Sequence, residues 1–486
     1  MSKQNKQSNN DLLIYTEKDK DSFLNVLGKI VDDAQAKRLE LLEPTRKERE
    51  AVMKVIKDFV KKNKRKIYGG YALNLLIKVK NPKDAFYTDL DTPDIEFYSP
   101  FPLQDLIELC DTFQEMGFKN VEGREAQHAE TYTVFVNFEK YCDISYTPKN
   151  VYNRIPFREL EGFIIVDPSF LMVDILRAFN DPLTSYVFRL EKTYKRAYLL
   201  QKYYPAKRMN KPDKFPLTNS NVKALEIVKD FLKNKESTVT IGYYVFLYYI
   251  SNGKLPKTES IPFFEFISIN FRKDAYDLIS LLKQQYEDPG RITVIEYYPF
   301  FQFYGHKAVI LVDSVPIAHI YNNNMKCIPY RDIAEGKYKI RLGTYAYTLM
   351  MILILYHKAR VDEDKINEQN YKYMYSEMIH TRNDFLKQNK KTIMDDTIYQ
   401  EFQIACTGET LDPPRLFRLK IQKRKAKKQA YTFNYDPIKD RKKELDIPQF
   451  ANTSGNIVRK DKNRKINIES VDSHEAIKNE NINETN

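Results

Sequence analysis

Hydrophobic positions first become periodic after Pro44. Val52, Val55, Ile56, Phe59 and Val60 fall at i, i+3, i+4, i+7 and i+8, the apolar stripe of an amphipathic helix that runs to about Lys64. Lys66-Ile67-Tyr68 reads as a short strand entering Gly69-Gly70, and Tyr71 to Val79 as a helix. After a polar loop with Pro82 come a strand over 93–99 and a helix from Pro102 to about Met116. Tyr132, Val134, Val136 and Phe138 alternate as a half-buried strand does, and Lys140 to Tyr146 reads as its neighbour. The order αβαβαββ describes a small mixed α/β domain. Much later, Leu349 to Tyr356 forms the longest apolar run. It is far short of the ~18 residues a membrane span needs and predicts a buried helix.

The pattern then repeats. Ile56-Lys57-Asp58-Phe59-Val60-Lys61 returns as Val228-Lys229-Asp230-Phe231-Leu232-Lys233, a spacing of 172 (228 − 56). At that spacing Gly70-Tyr71 pairs with Gly242-Tyr243, Leu75 with Leu247, and Asp105-Leu106-Ile107 with Asp277-Leu278-Ile279. Asp94-Ile95-Glu96-Phe97 faces Phe263-Phe264-Glu265-Phe266 three residues closer. The matches keep their order, which predicts two related tandem domains at 45–205 and 206–410. Residues 1–44 form an extension, polar at first and then weakly helical. Residues 411–486 form a tail, basic first and then Asn- and Glu-rich, with the last 20 or so expected to be disordered.

Composition narrows the class. Of 486 residues, 42% are hydrophobic and 30% charged, as in soluble globular proteins, so wholesale disorder and a membrane class are excluded. Lys plus Arg outnumber Asp plus Glu by 78 to 66, a net +12 that favours a polyanionic partner such as nucleic acid. The competing explanation is compositional bias, because Lys, Asn, Ile, Tyr and Phe are abundant and Trp is absent. The N-terminal MSKQNKQSNN lacks the apolar segment of a secretory signal. Cys110, Cys142, Cys327 and Cys406 lie far apart and never as C-x-x-C, so neither a zinc site nor a disulfide framework is expected, and a reducing intracellular compartment fits.

One constellation carries chemistry. In a strand, Asp94 and Glu96 project to the same face while Ile95 and Phe97 enter the core. Two like charges side by side repel unless a cation lies between them. Magnesium, a hard ion that prefers oxygen ligands, suits the place. Asp143, between apolar Cys142 and Ile144 on a later strand, supplies a third carboxylate. Gly69-Gly70 stands where bare N–H groups at a helix N-terminus can receive phosphate oxygens. Glycine turn, carboxylate pair and third carboxylate make the layout of metal-assisted nucleotidyl transfer.

Those residues, Tyr68-Gly69-Gly70, Asp94-Ile95-Glu96-Phe97 and Asp143, resemble the signature of the polymerase-β-like nucleotidyltransferase superfamily. More narrowly, KIYGGYALN, PDIEFYSP, EAQHAETYTVFVN and YCDISYTPKNVYN look like the poly(A) polymerase catalytic subunits of large cytoplasmic DNA viruses, the mimivirus type especially. The resemblance covers most of 45–205 and, more loosely, the rest. It implies a nucleotidyltransferase fold with a degenerate second copy, ATP as substrate, RNA 3′ ends as acceptor, and two Mg²⁺ or Mn²⁺ ions held by Asp94, Glu96 and Asp143. It also implies action in the host cytoplasm or viral factory, with packaging in the virion as an extension. Any homo-oligomer or viral processivity partner is not legible in the chain, and no membrane role is expected. The near rivals are a uridylyl- or CCA-adding enzyme; the distant one is an inactive RNA-binding scaffold.

Two features depart from the family pattern. The spacer between Gly70 and Asp94 is about twice the usual length, so a loop around 84–92 is inserted. It adds Asp89 and Asp91, which are rejected as ligands because Thr-Pro follows Asp91. Gly70 also stands where many relatives carry Ser. In the second copy Phe263 replaces Asp94, which predicts a dead site even if Asp313 imitates Asp143. Arg189, Lys192 and Arg196 share a helical face and could hold the triphosphate; a solvated face is the competing reading. Arg415, Arg418, Lys420, Lys423, Arg424, Lys425, Lys427 and Lys428 form a run without acidic residues that could follow an RNA backbone, or form a plain basic tail. Leu411, Leu416, Phe417, Leu419 and Ile421 leave open that this stretch packs as a helix.

Overall fold

The computed structural model describes residues 14–461, except 89–90, 129, 216–219, 287, 324–325, 427–431, 446, 448–449 and 451–452. The N-terminal extension is a long helix, α1 (Glu17–Leu41), begun by a Thr16–Asp19 capping box. Helix α2 (Arg46–Lys62) is capped by Thr45 and buries Val52, Met53, Ile56, Phe59 and Val60, the stripe read from the sequence. The first half continues through β1 (Lys66–Tyr68), α3 (Gly69–Lys78), β2 (Ile95–Ser99) and α4 (Pro102–Glu115). Then come β3 (Glu122–Glu125), β4 (Thr131–Val136), β5 (Glu139–Tyr146), α5 (Lys149–Arg154), β6 (Phe157–Leu160) and β7 (Phe163–Val166). Helices α6 (Pro168–Phe179), α7 (Ser185–Phe188) and α8 (Leu190–Tyr203) complete it. The alternating run at 132–138 stops early: Asn137 and Phe138 take positive φ, and Phe138 is exposed in the hairpin turn.

The second half runs α9 (Val222–Leu232), β8 (Thr238–Ile241), α10 (Gly242–Ile250), β9 (Phe264–Ser268), α11 (Phe271–Gln285), β10 (Ile292–Tyr297), β11 (Lys307–Val312) and β12 (Val315–Asn322). It ends with β13 (Ile328–Glu335), β14 (Tyr338–Gly343), α12 (Tyr345–Val361), α13 (Lys365–Gln388) and β15 (Cys406–Thr407). The long apolar run lies inside α12, which is buried almost all round and packs on α6 of the first half.

The duplication holds strand for strand. The first sheet reads β3-β4-β5-β2-β1-β7-β6 and the second, in the same sense, β10-β11-β12-β9-β8-β14-β13. The strand directions match as well. β1–β2 and β8–β9 are antiparallel, whereas β2–β5 and β9–β12 are parallel. Two pairings from the sequence are corrected by this register. Tyr68 lies opposite Glu96 and Ile241 opposite Glu265, so Gly242 answers to Gly69, not Gly70. Asp274, not Asp277, answers to Asp105. Each is buried one turn into its helix and neutralised by the cation ahead of the first strand, Arg65 in one copy and Lys235 in the other.

The C-terminal segment is not a detached tail. Helix α14 (Pro413–Ala426) is followed by β16 (Asn434–Tyr435), α15 (Pro437–Asp440) and β17 (Ile457–Asp461). β16 pairs with β3 and β17 with β10, so this segment adds the outer strand beside the corresponding edge of each sheet. A further correction concerns cysteine. Cys327 and Cys406 are bridged, 79 residues apart in sequence, because β15 pairs with the start of β13. Linear spacing cannot show a pairing made by a sheet. Cys110 and Cys142 are free and buried.

Candidate active site

The strand end of β1 turns sharply into α3 at Gly69, whose φ of +70° few side chains tolerate. A Cβ there would collide with the Glu96 carboxylate, which sits on the turn and accepts the Gly70 N–H at 3.0 Å. The turn therefore seats Glu96 first, and its leading N–H is already engaged. β2 and β5 run parallel, with Glu96 beside Asp143. Asp94 lies just ahead of β2.

Between the carboxylates lies a residue the sequence reading missed. Lys140 Nζ is 2.6 Å from Asp143 Oδ2 and 3.0 Å from Asp94 Oδ2. Strand alternation would put residues 140 and 143 on opposite faces. A bulge in β5 cancels that: Cys142 pairs with Val134 and Lys140 with Phe135, leaving Tyr141 as the extra residue. Thr133 donates to Asp143 Oδ1 at 2.6 Å, fixing the other oxygen. Burial, reinforced by Asp94 and Asp143, pushes the Glu96 carboxyl up to about 7, against the Gly70 N–H and Lys140. Burial opposes the Lys140 charge, but Asp143 and Asp94 outweigh it and raise its pKa.

Of the three cations expected to hold a triphosphate, only Arg196 reaches the turn. A Cβ on Gly70 would stand 3.1 Å from its guanidinium. Arg189 sits at the break between α7 and α8, so it does not share a helical face with Arg196, and Lys192 is exposed. The inserted loop contributes instead. Arg196 donates to the Tyr87 hydroxyl at 3.0 Å and lies over the Phe86 ring. Asp91 folds back on Thr88, Asp84 pairs with Lys202 at 2.6 Å, and Asp89 lies outside the described residues. His128 is exposed in the loop between β3 and β4.

The basic run divides. Lys420 and Arg424 on α14 both pair with Glu125, whose side chain is fully buried on β3 and which also accepts the Phe433 N–H. Burial works to raise the Glu125 pKa, yet Arg424 and Lys420 pull it below the ordinary carboxylate range. These two cations are structural, which corrects their assignment to RNA. Arg415, Arg418, Lys423 and Lys425 are exposed on α14; Lys427 and Lys428 lie outside the described residues.

In the second copy, Phe263 stands at the Asp94 position and His319, facing Glu265 across β9 and β12, at that of Asp143. Phe263 and His319 stack at 3.9 Å and fill the place where carboxylates converge in the first copy. Asp313, the one candidate for a counterpart of Asp143, lies instead in the β11–β12 turn paired with Arg291.

Two family models match the chain. "Poly(A) polymerase catalytic subunit" matches residues 54–185, and "APMV, Putative poly(A) polymerase, catalytic subunit, C-terminal" matches 199–468. A protein of Acanthamoeba polyphaga mimivirus named "Putative poly(A) polymerase catalytic subunit" is 38% identical over 88% of this chain and 80% of its own length. The chain belongs to the poly(A) polymerase catalytic subunit family. An African swine fever virus relative of the same name is 32% identical over 161 residues, 32% of this chain and 34% of its own. The crystal structure of the Megavirus polyadenylate synthase superposes with a TM-score of 0.86 at 34% identity, covering 94% of this chain and 95% of that one. This poly(A) polymerase family member is thus a nucleotidyltransferase of mixed α/β fold, with both of its halves covered by the family's own models.

Among the described residues no three side chains are gathered closely enough to hold an ion as they stand. The donor set nonetheless fits a divalent cation. Asp94, Glu96 and Asp143 offer only oxygen, and Lys140 already places a positive charge between two of them.

Proposed function

We propose that this enzyme adds AMP from ATP to the 3′ ends of mRNA at the cleft formed by Asp94, Glu96 and Asp143. The observation that carries the reading is the carboxylate set of the first copy, beside a second copy where the equivalent positions hold Phe263 and His319. Asp94 and Glu96 would hold two Mg²⁺ or Mn²⁺ ions, and Asp143 one of them. When bound, such ions activate the attacking hydroxyl and neutralise the charge of the leaving pyrophosphate. Asp143, held by Thr133, would accept the proton of an RNA 3′-hydroxyl. The Gly69 turn holds Glu96 in place, and Arg196 offers charge to the triphosphate.

Asp94→Ala or Glu96→Ala should abolish addition to a 5′-labelled RNA primer while the protein stays folded. Several kcal/mol of transition-state stabilisation, at ~1.36 kcal/mol per tenfold, is a loss of roughly a thousandfold or more. Retention of about a tenth of the activity would refute the site. Offering each NTP separately tests ATP preference against uridylyl or CCA addition. The inactive-scaffold reading is opposed by the full carboxylate set.

RNA contact would fall to Arg415, Arg418, Lys423 and Lys425 on the exposed face of α14. A homo-oligomer or viral processivity partner is supported by α1, which exposes Phe23, Leu24, Leu27, Ile30 and Val31; light scattering of the purified chain tests the first. Among the described residues no helix is long and apolar enough to cross a membrane. The viral origin of the relatives supports action in the host cytoplasm or viral factory, with packaging in the virion as the extension to test on purified particles.

A further inference from the structure

One donor of the glycine turn is not open to phosphate. The Gly70 N–H is given to Glu96, and a glycine has no side chain to replace it. The space over residue 70 is filled from the inserted loop: a Cβ there would lie 2.5 Å from the Tyr87 hydroxyl. The hydroxyl thus occupies the region that a short polar side chain on residue 70 would reach.

Its position is fixed from two sides. Asn74 of α3, buried, accepts the Phe86 and Tyr87 N–H groups at 2.9 and 3.2 Å. Asp84, at the start of the same loop, is held by Lys202 and Tyr203 of α8, the helix that carries Arg196. Tyr87 and Arg196 are therefore braced together across the mouth of the turn. Arg196 can only donate, so the Tyr87 oxygen accepts from it and the phenolic proton is left to point at a different acceptor. Burial and the Asp94 and Glu96 charges hold the phenol above its ordinary pKa, against the pull of Arg196. The proton is present at neutral pH.

We propose that Tyr87 is a nucleotide-binding residue: its hydroxyl, oriented by Arg196, donates to a phosphate oxygen of the nucleoside triphosphate at the Gly69-Gly70 turn. This rests on the assignment of the cleft to ATP and adds a donor to it. Arg196 supplies charge at the same spot, and Tyr87 supplies direction.

The test is an exchange of hydroxyls in the full-length chain. Tyr87→Phe should weaken binding of a non-hydrolysable ATP analogue, measured calorimetrically with Mg²⁺, by roughly tenfold, the worth of one hydrogen bond to a charged group. In turnover the loss should fall on the KM for ATP and leave kcat nearly unchanged. Gly70→Ser alone should also weaken binding, because its side chain meets the Tyr87 hydroxyl. The double variant Tyr87→Phe with Gly70→Ser should recover most of the affinity, since the serine hydroxyl then fills the vacated place. A purely structural role for Tyr87 predicts no such recovery. Unchanged affinity in Tyr87→Phe, or a double variant no tighter than Tyr87→Phe, overturns the proposal. Binding is read without turnover, so these outcomes are independent of the Asp94→Ala result that decides the catalytic assignment.

Discussion

Replacing Lys140 with Met should make the protein bind divalent metal more tightly while making the metal-free fold less stable. The ammonium bridges Asp94 and Asp143, the side chains that an ion would have to recruit. The Asp94 contact is solvent-screened, with side chains 42% and 39% exposed, and is worth at most about 1 kcal/mol. The Asp143 contact is stronger because that carboxylate is only 12% exposed; a charge-assisted hydrogen bond in such a setting contributes about 1.5 kcal/mol after screening. An ion entering the site must displace roughly 2 kcal/mol of these contacts. Abolishing them beforehand should lower the Kd for Mn²⁺ by up to about thirtyfold, at ~1.4 kcal/mol per tenfold. Methionine keeps the length of the stem and removes the charge. Calorimetric titration with Mn²⁺ reads the affinity, and thermal unfolding in chelator reads the lost neutralisation of the carboxylates. The two effects have opposite sign, which a simple folding defect cannot produce. An unchanged or weaker Mn²⁺ affinity would refute the idea that Lys140 competes with a metal ion for Asp94 and Asp143.

The Glu96 carboxyl is raised from 4.5 to about 7 in the metal-free protein, so the folded form keeps a proton that the unfolded chain has released. Its contribution to stability is full below pH 4.5 and is lost as pH rises through 7; melting curves in chelator should show this loss, and Glu96→Gln should flatten it. Deleting everything from Arg415 onward should destabilise the fold, because it removes the outer strands β16 and β17 together with the two cations and the Phe433 N–H that neutralise Glu125. A truncated protein melting like the intact chain would refute this, so the RNA role of α14 is better tested by Arg415→Glu with Arg418→Glu, which should flatten the salt dependence of primer binding by ~0.7 per lost contact. Glu265→Ala should cost about 3 kcal/mol of stability, since the carboxyl is buried and accepts from Tyr321, yet leave kcat per folded molecule unchanged. A fall in kcat would give the second copy a catalytic part.

The sequence showed what local periodicity and short motifs can carry. The α2 stripe, the Gly69-Gly70 turn and the buried α12 are each written in a few neighbouring residues. What it hid was made by long-range pairing or by broken periodicity. Lys140 was invisible because strand alternation assigns it to the wrong face, and only the bulge at Tyr141 returns it to the carboxylates. The Glu125 pairs join residues about 300 apart, so a run of cations looked uniform when two of its members were already committed. Tyr87 lies in a loop whose sequence signals only an unusual length and the acidic residues Asp89 and Asp91. Arg189 reads as sharing the Arg196 face because nothing in its neighbours announces that the helix breaks there.

The duplicated fold separates scaffold from chemistry within one chain. Both copies keep the positive-φ glycine pressed against a strand glutamate, Gly69 on Glu96 and Gly242 on Glu265. Both keep a buried aspartate neutralised by a cation ahead of the first strand. A feature present also where Phe263 and His319 stand in place of the other carboxylates has a use apart from nucleotidyl transfer: it holds the turn and the sheet together. The features that differ are Asp94, Asp143 with its Thr133 support, and the Lys140 cation between them, the set on which the proposed reaction would draw. By this reasoning Glu96 belongs to both sets. Its seat against the turn is shared by both copies, and in the proposed site the Asp94 and Asp143 charges around it would turn a structural glutamate into one able to share a metal.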